Sequence, residues 1–252
     1  MPPRACWTSR VADLHWLDHP RIEAAIFDWG GTLTPWHAID FEEEARVLAA
    51  AAAGADDTTA GLLREAADAI WARSRDHHVS ATVADIFAEA GLAHDESLLT
   101  AYRDFWAPHT VTDPDVLPLF SRLRLDGVKV GVLSNTVWPR EWHEEFFRRD
   151  EVLDLVDGAV YTSEIEFTKP APQAFEAAMA AVGVSDPAAC VFIGDRLFDD
   201  IWGAGQVGMR TILVPHSDIP PSQVGHSEGT PDAVVERLSH VYDVVSAWRA
   251  SG

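Results

Sequence analysis

The segment "AAIFDWGGTLTP" (residues 24–35) runs from four apolar residues into an aspartate, a pair of glycines and a threonine. The apolar residues predict a strand that is buried on both faces, as in a parallel sheet. Asp28 therefore stands at the carboxyl end of a strand, which is where open α/β sheets bind ligands. Gly30 and Gly31 predict a tight turn after it, whose backbone N–H groups can face an anion.

Further apolar segments predict the rest of the sheet. They are rich in Val, Ile and Phe and occupy residues 128–135, 158–163, 190–195 and 210–215. Amphipathic patterns predict helices between or after them, at residues 113–127, 171–184, 199–209 and 231–250. Strands that alternate with helices indicate a doubly wound α/β fold with a parallel sheet.

One long segment interrupts the alternation. Residues 36–109 contain helical patterns only, enough for roughly four helices, and the alanine run at 49–53 is interpreted as helix. We expect this segment to form a helical lid on a core made of residues 22–35 and 110–250. Residues 1–21 contain no apolar signal-peptide region and are expected to form an N-terminal extension.

The composition excludes several classes of function. The chain has 252 residues, of which 47% are apolar and 23% are charged, and a formal net charge of −21. That charge disfavours binding to nucleic acid and to anionic membranes, because both need a basic surface. No segment approaches the roughly 20 apolar residues of a membrane span. Cys6 and Cys190 indicate no disulfide framework, and we expect a cytoplasmic protein.

Reactive side chains follow the predicted strands or their adjoining loops at four places. Each one alone has a structural explanation, since aspartate is common in turns and helix caps and a Lys–Pro pair is common before helices. Because parallel strands bring their carboxyl ends to one edge of the sheet, the four places together predict a single site. The residues are Asp28, Ser134, Asn135, Lys169, Asp195, Asp199 and Asp200.

The motifs "FDWGGTLT", "VLSN", "TKPAPQAF" and "FIGDRLFDDIWGAGQVGM", in this order, resemble those of the haloacid dehalogenase superfamily. The resemblance covers about residues 22–240, and the helical segment resembles the C1-type cap of that superfamily. It implies a nucleophilic Asp28 that forms an aspartyl-phosphate. It also implies Mg²⁺ held by Asp28, the backbone carbonyl of Gly30, Asp195 and Asp200, with Asp199 as further support.

The resemblance also implies a phosphate-binding set and a substrate class. A carboxylate that attacks phosphorus needs cations and hydrogen-bond donors to offset charge repulsion. Lys169 supplies the cation, as one of only two lysines in the chain, whereas Lys129 is interpreted as structural or solvated. The donors are expected to be Ser134 and the backbone N–H groups near Gly30, Gly31 and Asn135. Thr32, the last member of this phosphate-binding set, is expected to fix the loop after Asp28. The implied substrate is a small phosphorylated metabolite.

Gly30 departs from the pattern of most phosphatases of this superfamily, which have a second aspartate there as general acid and base. Three explanations stay open: another group substitutes, the leaving group needs no proton, or the protein binds phosphate compounds with little turnover. The sequence therefore favours a phosphatase and leaves open one alternative, a catalytically impaired protein that binds a phosphorylated ligand. A 2-haloacid dehalogenase is disfavoured, because those relatives lack the acidic pair represented by Asp195 and Asp200.

Three further groups of residues have weaker signals. Tyr102, Arg103 and Trp106 are candidate pocket residues within the helical segment, and Trp29 is a candidate within the first motif. His77 and His78 show no zinc-binding spacing and are expected to form a solvated helix end.

Overall fold

The computed structural model describes residues 20–93, 95–215 and 226–251. Within them six parallel strands form one sheet in the order β3–β2–β1–β4–β5–β6. Their bounds are β1 Ala24–Phe27, β2 Lys129–Ser134, β3 Gly158–Tyr161, β4 Cys190–Gly194, β5 Arg210–Leu213 and β6 Ala233–Val234. The predicted doubly wound α/β fold is confirmed, and the first five strands match the predicted segments to within two residues at each end.

The helices fall into two groups. Four of them, in the helical segment after β1, are α1 Phe41–Ala51, α2 Thr59–His77, α3 Val83–Glu89 and α4 Glu96–Trp106. The others flank the sheet and are α5 Val116–Leu125, α6 Arg140–Arg149, α7 Pro172–Val182, α8 Gly203–Val207 and α9 Val241–Ser251. A π-helical turn, Leu197–Trp202, leads into α8. No helix in these described ranges has both the length and the apolarity that a membrane crossing requires.

The central strand β1 is buried on both faces because its alternate residues pack into different cores. Ala24 and Ile26 lie in the core that contains α7. Phe27 lies in the opposite core, where its ring is 4.9 Å from that of Phe120 on α5. The unbroken apolar run of β1 is therefore a consequence of helices on both sides of the sheet.

The strand register brings the reactive loops to one edge. Phe27, the last residue of β1, pairs with Val132 of β2 on one side and with Ile193 of β4 on the other. Asp28 is the next residue after β1, and Asp195 and Ser134 each lie two residues beyond these partners. Because the strands are parallel, all three side chains meet above the same end of the sheet.

The prediction of a single C-terminal helix is wrong. Residues 231–250 are predicted as one helix, but Ala233–Val234 form β6 and the helix begins at Val241. The strand forms because Leu213 at the edge of β5 pairs with Val234, and because the Thr211 N–H donates to the Asp232 carboxylate at 2.8 Å. This pairing outweighs the local helical pattern.

Candidate active site

Three carboxylates meet at the carboxyl end of the sheet. Asp28 follows β1, Asp195 follows β4 and Asp200 lies in the π-helical turn, and one oxygen from each lies within 4.8 Å of the others. All three side chains are buried. Among the described residues, Oδ2 of Asp28 and both carboxylate oxygens of Asp195 accept no hydrogen bond. Buried oxygens without donors are costly, and a hard divalent cation satisfies this kind of cluster.

Lys169 lies against the same carboxylates. Its Nζ is 2.6 Å from Oδ1 of Asp28 and 2.7 Å from Oδ1 of Asp200, and only 3% of the residue is exposed. The Asn135 side chain holds the backbone of Lys169 at both ends. It accepts from the Lys169 N–H at 2.8 Å and donates to the Lys169 carbonyl at 3.0 Å. Asn135 therefore positions the lysine.

Burial and charge shift the pKa values of these groups. Burial raises the pKa of Asp28 to about 6, although Lys169 counteracts the effect. Burial likewise raises the pKa of Asp195 well above its ordinary value, and the Asp28 charge adds to this. Burial by itself lowers the pKa of Lys169, but Asp200 and Asp28 outweigh it and the net shift is upward. The ammonium group is thus charged at neutral pH, in a cluster with more carboxylates than cations.

The turn after Asp28 is tight, and its two glycines differ. The N–H groups of Leu33 and Thr34 both donate to the Trp29 carbonyl. Gly31 has a φ of +94°, and a Cβ there would collide with Oδ2 of Asp195, so only glycine fits. A Cβ at Gly30 would meet only Cζ2 of Trp36, at an ordinary 3.7 Å, so a side chain at position 30 has room.

A cavity of about 530 Å³ opens above Asp28 and extends between the sheet and helices α1, α2 and α4. Asp28, Gly30, Ser134, Asn135 and Lys169 lie at one end of it. The rest of the wall combines polar and charged side chains with a group of large aromatic rings. This group, the aromatic chamber, consists of Trp29, Trp36, Phe41, Trp71, Tyr102, Trp106 and Trp138.

A family model for the haloacid dehalogenase-like hydrolases matches residues 22–208, which is most of the chain. The chain belongs to the haloacid dehalogenase-like hydrolases. A glyceraldehyde 3-phosphate phosphatase of Methanopyrus kandleri is 29% identical over 231 residues, covering 89% of this chain and 97% of that protein. The phosphatase MT3486 of Mycobacterium tuberculosis is also 29% identical, covering 78% of this chain and 88% of that one.

A solved structure agrees with the fold. The crystal structure of a HAD phosphatase from Thermococcus onnurineus superposes with a TM-score of 0.63 at 22% identity, covering 89% of this chain and 98% of that one. Together with the phosphatases above, the family match makes the protein a hydrolase of the phosphatase type.

In this haloacid dehalogenase-like hydrolase most of the predicted site residues lie together. Ser134 and Asn135 line the cavity with Asp28 and Lys169, and so does Asp199, whereas Asp195 and Asp200 are buried beside it. Burial raises the pKa of Asp199 to about 6. Gly31 and Thr32 are absent from the lining and shape the turn beneath it.

The weaker candidate pocket residues do not all line the cavity. Trp29, Tyr102 and Trp106 line the cavity as predicted, but Arg103 does not. Arg103 lies on another face of α4, where its guanidinium is 3.0 Å from Asp104 and 3.7 Å from Glu145. Lys129 is exposed and 3.8 Å from Asp157, as expected of a solvated residue.

His78 corrects the prediction of a solvated helix end. His77 is exposed, but His78 is half-buried in a left-handed conformation at the end of α2. Its carbonyl accepts from the Thr168 N–H at 3.0 Å, which joins the helical segment to the loop that contains Lys169. The two histidines are neighbours at the end of α2, and a shift of one residue there decides that the His77 ring and not the His78 ring faces solvent.

Glu44 is a cavity residue that the sequence pattern did not predict. It occurs in an acidic run, "FEEEAR", that has the appearance of a solvated first helical turn. Glu44 is only 7% exposed, because it lies on the same face of α1 as the buried Ala45 and Leu48. The i, i+1, i+4 spacing of these residues was the available signal.

Proposed function

We propose that the protein is a Mg²⁺-dependent phosphatase that hydrolyses a small phosphorylated metabolite through an aspartyl-phosphate at Asp28. The observation that carries this proposal is the position of the Asp28 carboxylate. It lies at one end of the cavity, beside the Lys169 ammonium group and within 4.8 Å of two further carboxylates. A carboxylate with cations around it is what attack on a phosphate dianion requires.

The reaction has two steps. An oxygen of Asp28 attacks phosphorus, and the bond from phosphorus to the ester oxygen breaks as the alcohol part departs with the electron pair. Water then attacks the phosphorus of the aspartyl-phosphate, which releases inorganic phosphate and restores the Asp28 carboxylate. Lys169 stays within contact of Asp28 and offsets the negative charge, and the Ser134 hydroxyl on the cavity wall donates to a phosphoryl oxygen.

The acidic cluster fits a divalent cation, and its members differ in how they contribute. Asp28 and Asp195 have oxygens that accept no hydrogen bond in the described structure, so these oxygens are the direct ligands we propose, with the Gly30 carbonyl. Both oxygens of Asp200 are engaged, one by Lys169 and the other by the Arg196 N–H. Asp200 therefore supports the site mainly by orienting Lys169. When bound, Mg²⁺ neutralises charge on the phosphate group.

We further propose that residues 36–109 act as the cap of a core formed by residues 22–35 and 110–250. The support is that helices α1, α2 and α4 form the part of the cavity wall opposite the sheet. The relatives named as glyceraldehyde 3-phosphate phosphatases support a small phosphorylated metabolite as the substrate. Cys190, a buried and free thiol, is compatible with the cytoplasmic location we propose.

Chelation tests the proposal directly. We expect EDTA to reduce p-nitrophenyl phosphate turnover at least about 100-fold, and Mg²⁺ to restore it, because the metal offsets charge that the protein alone does not. Asp195→Asn should raise the Mg²⁺ concentration needed for half-maximal activity at least about tenfold. The control is Asp104→Asn, which removes an exposed carboxylate on α4. Turnover that is indifferent to chelation, or metal-independent halide release from a 2-haloacid, contradicts the proposal.

Gly30→Asp tests whether the missing side chain limits the rate. The cavity has room for the new Cβ, and the added carboxyl group can protonate a departing alkoxide. We expect turnover of alkyl phosphates to rise about tenfold or more, and that of p-nitrophenyl phosphate to change little, because a nitrophenolate leaves without a proton. Gly30→Asn is the matched control, similar in size but without the proton. Equal gains on both substrates, or an equal gain in the asparagine variant, would refute this explanation.

A further inference from the structure

The aromatic chamber forms a continuous wall that leads away from Asp28. The ring of Trp29, the residue after Asp28, lies 5.5 Å from that of Trp138 in an edge-to-face arrangement. Trp138 lies 5.5 Å from Trp106 in the same type of contact. Tyr102 borders the wall, 6.4 Å from Trp138. The wall thus begins at the proposed nucleophile and ends deep in the helical segment.

Glu44 closes the far end of this wall. The Trp106 Nε1–H donates to its Oε1 at 2.6 Å. Burial raises the pKa of Glu44 to about 7, although the hydrogen bond from Trp106, the charge of Arg64 and the hydrogen bond from Tyr102 counteract this. The Arg64 guanidinium forms an ion pair with the Asp68 carboxylate, at a distance of 2.7 Å. Glu44 lines the cavity, and the Tyr102 hydroxyl also hydrogen-bonds its carboxyl group. Among the described residues no cation lies within the 4.0 Å ion-pair distance of Glu44. A carboxylate has about four acceptor positions, so Glu44 can accept a further hydrogen bond from a ligand.

This geometry restricts the organic part of a ligand. Flat rings gain about 0.5–1.5 kcal/mol from an aromatic partner beyond the area that they bury. Along the aromatic wall a small polyol would place hydroxyl groups against indole faces, which is unfavourable, and it would depend on the polar residues elsewhere in the lining, such as Arg64 and Asp68, for its hydrogen bonds. The volume of about 530 Å³ is also more than a phosphoryl group needs.

We propose that the substrate is the phosphate ester of a phenol, whose ring stacks in the aromatic chamber and whose distal hydroxyl or amino group donates a hydrogen bond to Glu44. The inference rests on the proposed phosphatase function and names its substrate class. The ring is attached directly to the ester oxygen because the aromatic wall starts at Trp29, next to Asp28. When the bond from phosphorus to the ester oxygen breaks, the phenolate departs with the electron pair and takes its proton from water.

Inhibition by two phosphonates isolates ring recognition. Phenylphosphonate and cyclohexylphosphonate have equal carbon counts and no leaving group, and differ in planarity and aromatic character. We expect phenylphosphonate to inhibit acetyl phosphate turnover at least about tenfold more strongly, the equivalent of roughly 1.4 kcal/mol. Trp71→Leu should reduce this preference. Equal inhibition constants for the two phosphonates in the wild-type protein would overturn the proposal.

A pair of esters tests the Glu44 contact. We expect kcat/KM for 6-hydroxy-2-naphthyl phosphate to exceed that for the 6-methoxy ester at least about tenfold, because only the first can donate to Glu44. The 6-amino ester tests the second type of donor in the same way. In Glu44→Leu the preference should disappear, whereas Glu44→Gln keeps an acceptor and should retain much of it. Glu42→Leu is the control, since Glu42 lies exposed on the same helix.

The proposed function and the proposed substrate class fail separately. If the wild-type protein hydrolyses neither acetyl phosphate nor p-nitrophenyl phosphate, the proposed function itself is wrong. If acetyl phosphate is hydrolysed but the two phosphonates inhibit equally, the phosphatase stands and the phenolic substrate class is wrong. If the hydroxy and methoxy esters are turned over equally, the Glu44 contact is wrong. A preference for the methoxy ester also refutes the Glu44 contact, because it indicates that the end of the cavity near Glu44 binds apolar groups.

Discussion

Asp28→Asn is expected to reduce turnover of p-nitrophenyl phosphate by at least about 10⁴-fold while the protein keeps its fold. The carboxylate supplies the oxygen that attacks phosphorus, and a neutral amide is a poor nucleophile. Asparagine has nearly the same size, so the surrounding packing is maintained. Because the amide of this variant cannot form the aspartyl-phosphate, the phosphoenzyme should also be absent when the reaction is quenched in acid.

The same substitution has a predicted effect on stability. The pKa of Asp28 is raised to about 6 in the folded protein, from 3.8, mainly by burial. The ionised carboxylate therefore destabilises the fold, by an amount that appears above the unfolded pKa and is complete above about 6. In EDTA near pH 7.5, Asp28→Asn should thus raise the free energy of unfolding by about 1–3 kcal/mol. Near pH 4 the difference should vanish.

Two results would contradict this prediction. Retention of more than about 1% of wild-type turnover would mean that another group is the nucleophile. A large loss of stability in EDTA would mean that the Lys169 ion pair outweighs the burial of the Asp28 carboxylate. Asp104→Asn, an exposed change on α4, serves as control and should leave both quantities unchanged.

Lys169→Met is expected to lower the free energy of unfolding by about 3–5 kcal/mol in the absence of metal, and to weaken vanadate binding and turnover strongly. Methionine fills a similar volume but removes the ammonium group. The carboxylates of Asp28 and Asp200, which are 2.6 and 2.7 Å from Nζ, then lose their directly bonded counter-charge and stay buried together. Mg²⁺ should recover part of the lost stability, because it supplies positive charge to the same cluster.

The other lysine of the chain provides the matched control. Lys129 is 56% exposed at its side chain and 3.8 Å from Asp157, so Lys129→Met should change stability by no more than about 0.5 kcal/mol. The double variant Lys169→Met/Asp200→Asn should have a higher free energy of unfolding than Lys169→Met alone, because it lacks one of the uncompensated carboxylates. Additive effects in this double variant, or unchanged vanadate binding in Lys169→Met, would remove Lys169 from the site.

The sequence predicted a large part of this molecule because several of its signals are local. The apolar run of β1 and the Gly183 end of α7 are each set by residues close in the chain. Parallel strands then place Asp28, Asp195 and Ser134 at one edge without further information. The prediction that Lys169 joins them rested on the order of four motifs, and the ion pair of 2.6 Å places it there.

Other features needed the folded chain. The exposed edge of β5 recruits Ala233–Val234 as a strand from a segment with a helical pattern. α6 buries only His143, Phe146 and Phe147, a stripe too narrow to stand out from its charged neighbours. The predicted role of Asn135 concerned its backbone N–H, and only the folded chain shows that its side chain also holds the backbone of Lys169.

The amino-acid sequence by itself determined the parallel sheet, the order of the reactive loops and the residue types that meet at Asp28. These depend on hydrophobic periodicity and turn chemistry, which act over a few neighbouring residues. Tertiary structure decided that Glu44 lines the cavity, that Arg103 faces away and that rings from four separate segments line one chamber. Burial and side-chain direction depend on contacts between residues far apart in the chain, and no local pattern encodes those contacts.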